Sequence, residues 1–155
     1  MAKTRSEAGT RDLIVRMVTI DGMMPLMFDR YAGDNDTRLT PSQKLYYGSD
    51  GRTLVIPSMN LMSFLSAKNT DSAPKRLLDS RTYKKFTEAC ASYVQIDAPG
   101  EKYSEDLVLM RDGEPILFDK FNEQEVCPSS GVFIHRSVAR LKDGIPNPKV
   151  RPCLN

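Results

Sequence analysis

The sequence predicts an α+β fold, because two amphipathic helical patterns come first along the chain and two hairpin patterns follow them. A chain of 155 residues also has the length of one ordinary domain. We therefore expect a single domain over residues 1–155, with a flexible N-terminal arm over 1–12, a long loop over 31–51 and a β-hairpin that supplies an edge strand over 132–155.

The first predicted helix follows a short strand in "TLVIP". Pro57 ends that strand because proline has no backbone N–H for a ladder, and the Ser58 hydroxyl is suited to cap the helix. Leu61, Met62 and Leu65 then share one helix face. A second helix is predicted across "RLLDSRTYKKFTEACASY", with an apolar stripe made of Phe86, Ala89, Cys90 and Tyr93.

Strand patterns lie on both sides of these helices. "LIVRMVTIDG" predicts a strand that ends in an Asp-Gly turn, and "YVQIDA" predicts another after the second helix. "EDLVLMRDGEPILFD" predicts a hairpin, because Asp112 and Gly113 separate two apolar runs. "GVFIHRSVARLKDGIPNPKVRPCLN" predicts a second hairpin with a longer, proline-stiffened turn.

Composition excludes several classes of function. The net charge of +2 gives no global argument for a polyanionic partner, so a nucleic-acid role must rest on local patches. Neither a signal peptide nor an apolar run of about 18 residues occurs, which predicts a cytoplasmic protein without a membrane partner. Three widely spaced cysteines and one histidine give neither a disulfide framework nor a zinc site, and no cofactor is expected.

Basic residues cluster in two regions of the chain. Such clusters can neutralise the phosphates of a nucleic acid, and nearby tyrosines can stack on bases. The alternative is that they are solvated faces of an ordinary domain. The predicted nucleic-acid contacts are Lys84 and Lys85 on the second helix, Arg136, Arg140, Lys142, Lys149 and Arg151 on the second hairpin, and Tyr46 and Tyr47 in the long loop.

An acidic group in the long loop predicts a different chemistry. Asp34 and Asp36 lie close together, with Asp29 a few residues earlier. Clustered carboxylates can hold a divalent cation that activates water. The alternative function is therefore a metal-dependent ribonuclease that uses Asp34 or Asp36.

The joint at Val55-Ile56-Pro57-Ser58, with Leu61 in the helix that follows, resembles the Ile-Pro-Gly-Ser-Ser-Leu-Lys-Gly signature of the RAMP superfamily. Members of this superfamily form the guide-RNA-binding backbone of CRISPR surveillance complexes. The resemblance extends over about residues 13–67, with Met59 and Asn60 in place of small residues, and phage and prophage proteins share a similar layout.

This resemblance implies an RRM-like (ferredoxin-like) core with two helices and hairpin extensions, in a shortened domain. It implies a non-catalytic protein that binds RNA or docks on a ribonucleoprotein, encoded by a phage or mobile element and able to interfere with assembly of the complex. An open sheet edge would favour self-association. A third hypothesis is a structural or assembly protein that makes protein contacts only.

Overall fold

The computed structural model describes residue 14 and residues 16–34, 36–66, 80–94, 96, 106–141 and 143–155. Its strands are β1 (Leu26–Met27), β2 (Val55–Ile56), β3 (Leu107–Val108), β4 (Met110–Arg111), β5 (Glu114–Pro115), β6 (Phe133–Arg140) and β7 (Pro146–Leu154). A 3-10 helix covers Ser42–Lys44, and the α-helices are α1 (Ser58–Ser66) and α2 (Ser80–Tyr93). The predicted α+β class is therefore confirmed.

The largest sheet has three antiparallel strands in the order β1-β7-β6. β6 and β7 pair along eight positions, from Phe133 opposite Cys153 to Arg140 opposite Pro146. β1 pairs only with the last two residues of β7, and those residues are buried. The predicted hairpin over 132–155 is thus present, with one end in the core and the other in solvent.

The core is centred on Leu54, which is wholly buried. Its N–H donates to the Ile116 carbonyl at 2.9 Å, and its own carbonyl accepts from the Leu109 N–H at 3.0 Å. Burying one leucine side chain contributes roughly 1.5–3 kcal/mol. The core cluster consists of Phe28, Leu45, Leu54, Ile116, Phe118, Cys127, Val132 and Leu154.

The turn between β4 and β5 has the predicted Asp-Gly chemistry. Asp112 has φ of 53° and Gly113 has φ of 84°, so both central residues are left-handed. A two-residue hairpin turn with both residues left-handed matches the twist of its strands, and aspartate and glycine tolerate that conformation best. The first predicted hairpin is confirmed, with β4 and β5 paired in register across this turn.

Side-chain caps organise the long loop over 31–51. Thr40 and Gln43 form a reciprocal capping box at the start of the 3-10 helix: the Thr40 N–H donates to Gln43 Oε1 at 2.9 Å, and the Gln43 N–H donates to Thr40 Oγ1 at 3.4 Å. Asp50 then accepts from the N–H of Arg52 and from both the N–H and the hydroxyl of Thr53. Local hydrogen bonds therefore order the loop on both sides of the 3-10 helix.

The two helices pack against each other. α1 begins at Ser58, so Pro57 rather than Ser58 precedes the helix. Leu61, Met62 and Leu65 are half-buried, as their shared face predicts. Neither helix among the described residues has the length and apolarity needed to cross a membrane.

The apolar stripe predicted for α2 is correct in part. Cys90 is buried and Phe86 is half-buried, but Tyr93 is 80% exposed and Ala89 is also exposed. Thr87 is buried instead, because it lies beside Cys90 on the same face. The predicted helix also covers residues 76–79, which lie outside the described residues.

Two predicted strands are wrong over the residues that the structure describes. Ile14 and residues 16–25 form no strand, and Val18 and Ile20 are exposed. A strand needs a partner, and β1 is bonded to β7 only from Leu26 onward. In the "YVQIDA" segment, Tyr93 ends α2, and neither residue 94 nor residue 96 belongs to a strand.

Replacing Asp50 by Ala should lower the free energy of unfolding by about 1–3 kcal/mol, because the buried Thr53 N–H and hydroxyl lose their acceptor. Asp34→Ala is the matched control, since Asp34 caps Thr37 with the same spacing but at the surface. Urea unfolding followed by circular dichroism measures both variants. An equal loss of stability in the two would contradict the assignment of the cost to buried groups.

Candidate nucleic-acid interface

The β6–β7 hairpin divides the predicted basic residues between its two faces. Directly opposed residues of an antiparallel pair project to the same side. Arg151 lies opposite His135 and Lys149 lies opposite Ser137 on one face, whereas Arg136 and Arg140 lie on the other. Lys142, in the turn, lies outside the described residues. The hairpin therefore presents positive charge on both sides.

Some basic residues of the hairpin form ion pairs and others do not. Arg136 forms an exposed salt bridge to Glu125, close to the core end of the hairpin. Arg140 and Lys149 make no ion pair with any residue that the structure describes. The distal half of the hairpin therefore carries the more available charges, one on each face.

Asp29 joins the base of the hairpin to the 3-10 helix. Its Oδ2 lies 2.7 Å from Arg151 Nε, and its Oδ1 lies 3.0 Å from Lys44 Nζ. Lys44 Nζ also donates to the Val150 carbonyl at 2.8 Å. Burial raises the pKa of Asp29, but the hydrogen bonds from Arg151 and Lys44, together with their charges, outweigh this effect and lower the pKa below 3.8. Arg151 is thus held in a structural ion pair.

Tyr46 and Tyr47 are half-buried and pack against the core cluster. The Tyr47 hydroxyl donates to the Ser42 carbonyl at 2.8 Å, and its ring centroid lies 5.9 Å from that of Phe118. Burial, with a smaller effect of the Cys127 charge, raises the pKa of Tyr47 to about 12. The guanidinium carbon of Arg30 lies 5.9 Å from the Tyr46 ring centroid.

Two surface cavities lie beside Tyr47, with volumes of about 430 and 390 Å³. They share Ser42 and Tyr47 in their walls, and we refer to the two together as the groove. The first cavity is also lined by Arg30, Tyr31, Ala32, Leu39 and Gln43. The second is also lined by Gly51, Arg52, Phe118, Asp119 and Lys120. The groove therefore combines aromatic rings with several cationic side chains.

Among the residues predicted as nucleic-acid contacts, Tyr47 lines this groove, whereas its cations were not predicted from the sequence. Arg30, Arg52 and Lys120 are far apart along the chain, and only tertiary folding brings them to one surface. The adjacent Arg30-Tyr31 pair, next to the loop already singled out, was the one local signal available.

Of the two lysines predicted as contacts on the second helix, the structure describes the side chain of Lys85. Lys85 is exposed on α2, and the packing of α2 is against α1. The side chain of Lys84 lies outside what the structure describes. The groove and the hairpin are linked through Lys44, whose carbonyl accepts from the Arg30 N–H and whose Nζ donates to the Val150 carbonyl.

Of the two aspartates predicted as an alternative catalytic pair, Asp34 has a local structural role. Asp34 Oδ1 accepts from the N–H groups of Asp36 and Thr37 at 2.8 and 2.5 Å, and Oδ2 accepts from the Thr37 hydroxyl at 2.8 Å. The backbone hydrogen bond from Thr37 is the main cause that lowers the pKa of Asp34. Among the described residues, no three His, Cys, Asp or Glu side chains converge as they would around a metal ion.

Cys90, Cys127 and Cys153 are free and buried. Burial alone would raise the pKa of Cys127, but hydrogen bonds from Ser129 and Ser130 lower it to about 7. The Cys127 side chain is wholly inaccessible to solvent, so it is not placed to attack a substrate.

Replacing Asp29 by Asn should lower the free energy of unfolding by about 1 kcal/mol near neutral pH. Because the pKa of Asp29 is lowered in the folded state, its contribution is present above the unfolded-state value of 3.8 and is lost as pH falls through the folded-state value. Urea unfolding of both proteins across this range should show the difference shrinking at low pH. A cost that stays constant with pH would contradict the ion-pair assignment.

Comparisons of the chain with protein-family models, curated proteins and solved structures find no match, so no relative supplies a fold or a function for it.

Proposed function

We propose that this protein binds single-stranded RNA without cleaving it, and that the distal β6–β7 hairpin makes the principal phosphate contacts. The observation that carries this proposal is the charge of the hairpin. Residues 133–154 contain five Lys or Arg residues and one Asp, a net charge of +4, whereas the whole chain has +2. Arg136 and Arg151 are paired with Glu125 and Asp29, so among the described residues of the hairpin the charge available to phosphates lies at Arg140 and Lys149. Phosphate neutralisation by such a local patch supplies most of the non-specific affinity for nucleic acids.

The shape of the hairpin suits a nucleic-acid backbone. Arg136 and Arg140 are separated by about 13 Å along β6, at roughly 3.3 Å per residue. That distance is the length of about four phosphates in a stacked strand, at roughly 3.4 Å each. Arg140 and Lys149 are exposed or half-exposed and make no ion pair within the described part of the chain, so they meet phosphates without first giving up a partner.

The proposal includes a more specific family relationship and fold for the chain. β2 ends at Ile56 and α1 begins at Ser58, which is compatible with the strand–proline–helix joint of the RAMP superfamily. On this reading the chain is a cytoplasmic, phage-encoded or mobile-element-encoded RAMP-like protein with an RRM-like core, and it docks on a guide-RNA complex or disturbs its assembly. The β1-β7-β6 sheet would be an extension of that core.

Arg140→Ala and Lys149→Ala should each weaken binding to unstructured RNA irrespective of its sequence. Each should also reduce the slope of log affinity against log salt by about 0.7. Fluorescence anisotropy across a salt series measures both effects, with Arg38→Ala in the long loop as a control of equal charge change. Binding that is undetectable at low salt, or equally weakened by the control, would refute the proposal.

A second candidate is an assembly protein that associates with copies of itself, and the segment over 14–24 favours it. Six large apolar side chains in this segment are between 62% and 95% exposed, namely Ile14, Met17, Val18, Ile20, Met23 and Met24. If these side chains form one contiguous patch in the folded protein, the patch is of the kind that marks protein contact sites. The outer edge of β6 pairs with Glu125 and Val126 at Phe133 and Ile134, and beyond Ile134 it offers a strand partner without proline.

If this segment mediates association, the molar mass should rise above 17.4 kDa as the protein concentration increases. The double variant Val18→Lys/Ile20→Lys should remain a monomer, because burying two ammonium groups is unfavourable. The double variant Thr19→Lys/Asp21→Asn, which also raises the charge of this segment by two but keeps its apolar side chains, is the control. Light scattering after size exclusion reports the mass, and a wild-type monomer at every concentration would eliminate this candidate.

A further inference from the structure

The groove beside Tyr47 has features that the hairpin lacks. It joins an exposed aromatic ring, Tyr31, to cationic groups within one concave surface. Its first cavity, of about 430 Å³, lies in the size range of small-ligand sites. From these observations we infer that the groove binds a base and its phosphate from single-stranded RNA, which deepens the function proposed above and rests on it.

The charge of the groove favours an anion. Arg30 and Lys120 make no ion pair with a described residue, and Arg30 instead lies over the Tyr46 ring. Arg52 is paired with Asp119, which is the acidic residue in the groove lining. Three cations and one carboxylate leave an excess of positive charge, so a phosphate is attracted without displacing the existing pair.

The walls differ in what they offer to a base. Tyr31 is 63% exposed and lines the first cavity. Tyr47 is fixed by its bond to the Ser42 carbonyl and by Phe118, so it forms a rigid side of the groove. Gln43 accepts the Thr40 N–H through Oε1, which leaves its amide nitrogen as a hydrogen-bond donor to a base carbonyl.

Hydrogen bonds through Lys44 connect Arg30 in the groove wall to the base of the hairpin. The Arg30 N–H donates to the Lys44 carbonyl at 3.4 Å, and Lys44 Nζ bonds to both Asp29 and Val150. A strand of RNA that follows the hairpin towards the core would therefore reach Arg30 and Tyr31 next. Stacking in the groove would add a preference for unpaired bases to the sequence-independent attraction of the hairpin.

The test compares single-stranded and duplex probes. Tyr31→Ala should weaken binding of an oligouridine of about ten nucleotides by about tenfold, because base–aromatic stacking is lost. It should leave binding to a duplex RNA unchanged, since paired bases do not enter the groove. Tyr31→Phe should retain most of the affinity, and Tyr93→Ala, at an exposed tyrosine on α2, is the matched control.

Lys120→Ala should lower the salt slope of oligouridine binding by about 0.7. If Tyr31→Ala and Lys120→Ala bind oligouridine like the wild type, while Arg140→Ala and Lys149→Ala are weakened, the groove inference fails and the hairpin function stands. If neither probe binds, both proposals fall. Uridine monophosphate should compete only weakly, because it lacks the hairpin contacts, and competition as strong as that of the oligouridine would show a free-nucleotide site instead.

Discussion

The antiparallel pairing of β6 with β7 is the constraint on which the rest of the structure depends. At its inner end Pro152, Cys153 and Leu154 are buried, and Leu154 belongs to the core cluster. At its outer end the same two strands are exposed to solvent. The buried end provides the stabilisation that an isolated two-stranded hairpin lacks in water. The ladder therefore projects a charged ribbon from a fixed base.

That base is held by electrostatics as well as by packing. Asp29 follows the buried Phe28 and bonds to both Lys44 and Arg151, so one carboxylate connects β1, the 3-10 helix and β7. Because the pair is only partly exposed, it is screened less than a surface salt bridge. The orientation of the hairpin relative to the groove thus depends on a contact between residues that are far apart in the sequence.

Local chemistry made much of the fold predictable. The Asp112-Gly113 turn, the hairpin over 132–155 and the start of a helix after Pro57 all follow from residues that are neighbours in the chain. The strand expected around Ile20 did not form because β propensity cannot supply a partner strand. The groove could not be predicted for a related reason, since Arg30 and Lys120, which are far apart in the sequence, line its two cavities only in the folded chain.

The predicted basic residues also show why counting charges in a sequence overestimates the charge that is available for binding. Arg136 and Arg151 lie on the hairpin as expected, but Glu125 and Asp29 neutralise them. For either arginine to hold a phosphate, it must lose a carboxylate or share it, and the net gain in free energy is small. Under the proposed function, affinity would then come from Arg140 and Lys149, which make no ion pair within the described part of the chain, and from aromatic contacts near the base. In that arrangement the charges at the tip of the hairpin would attract RNA, and the groove would select unpaired bases.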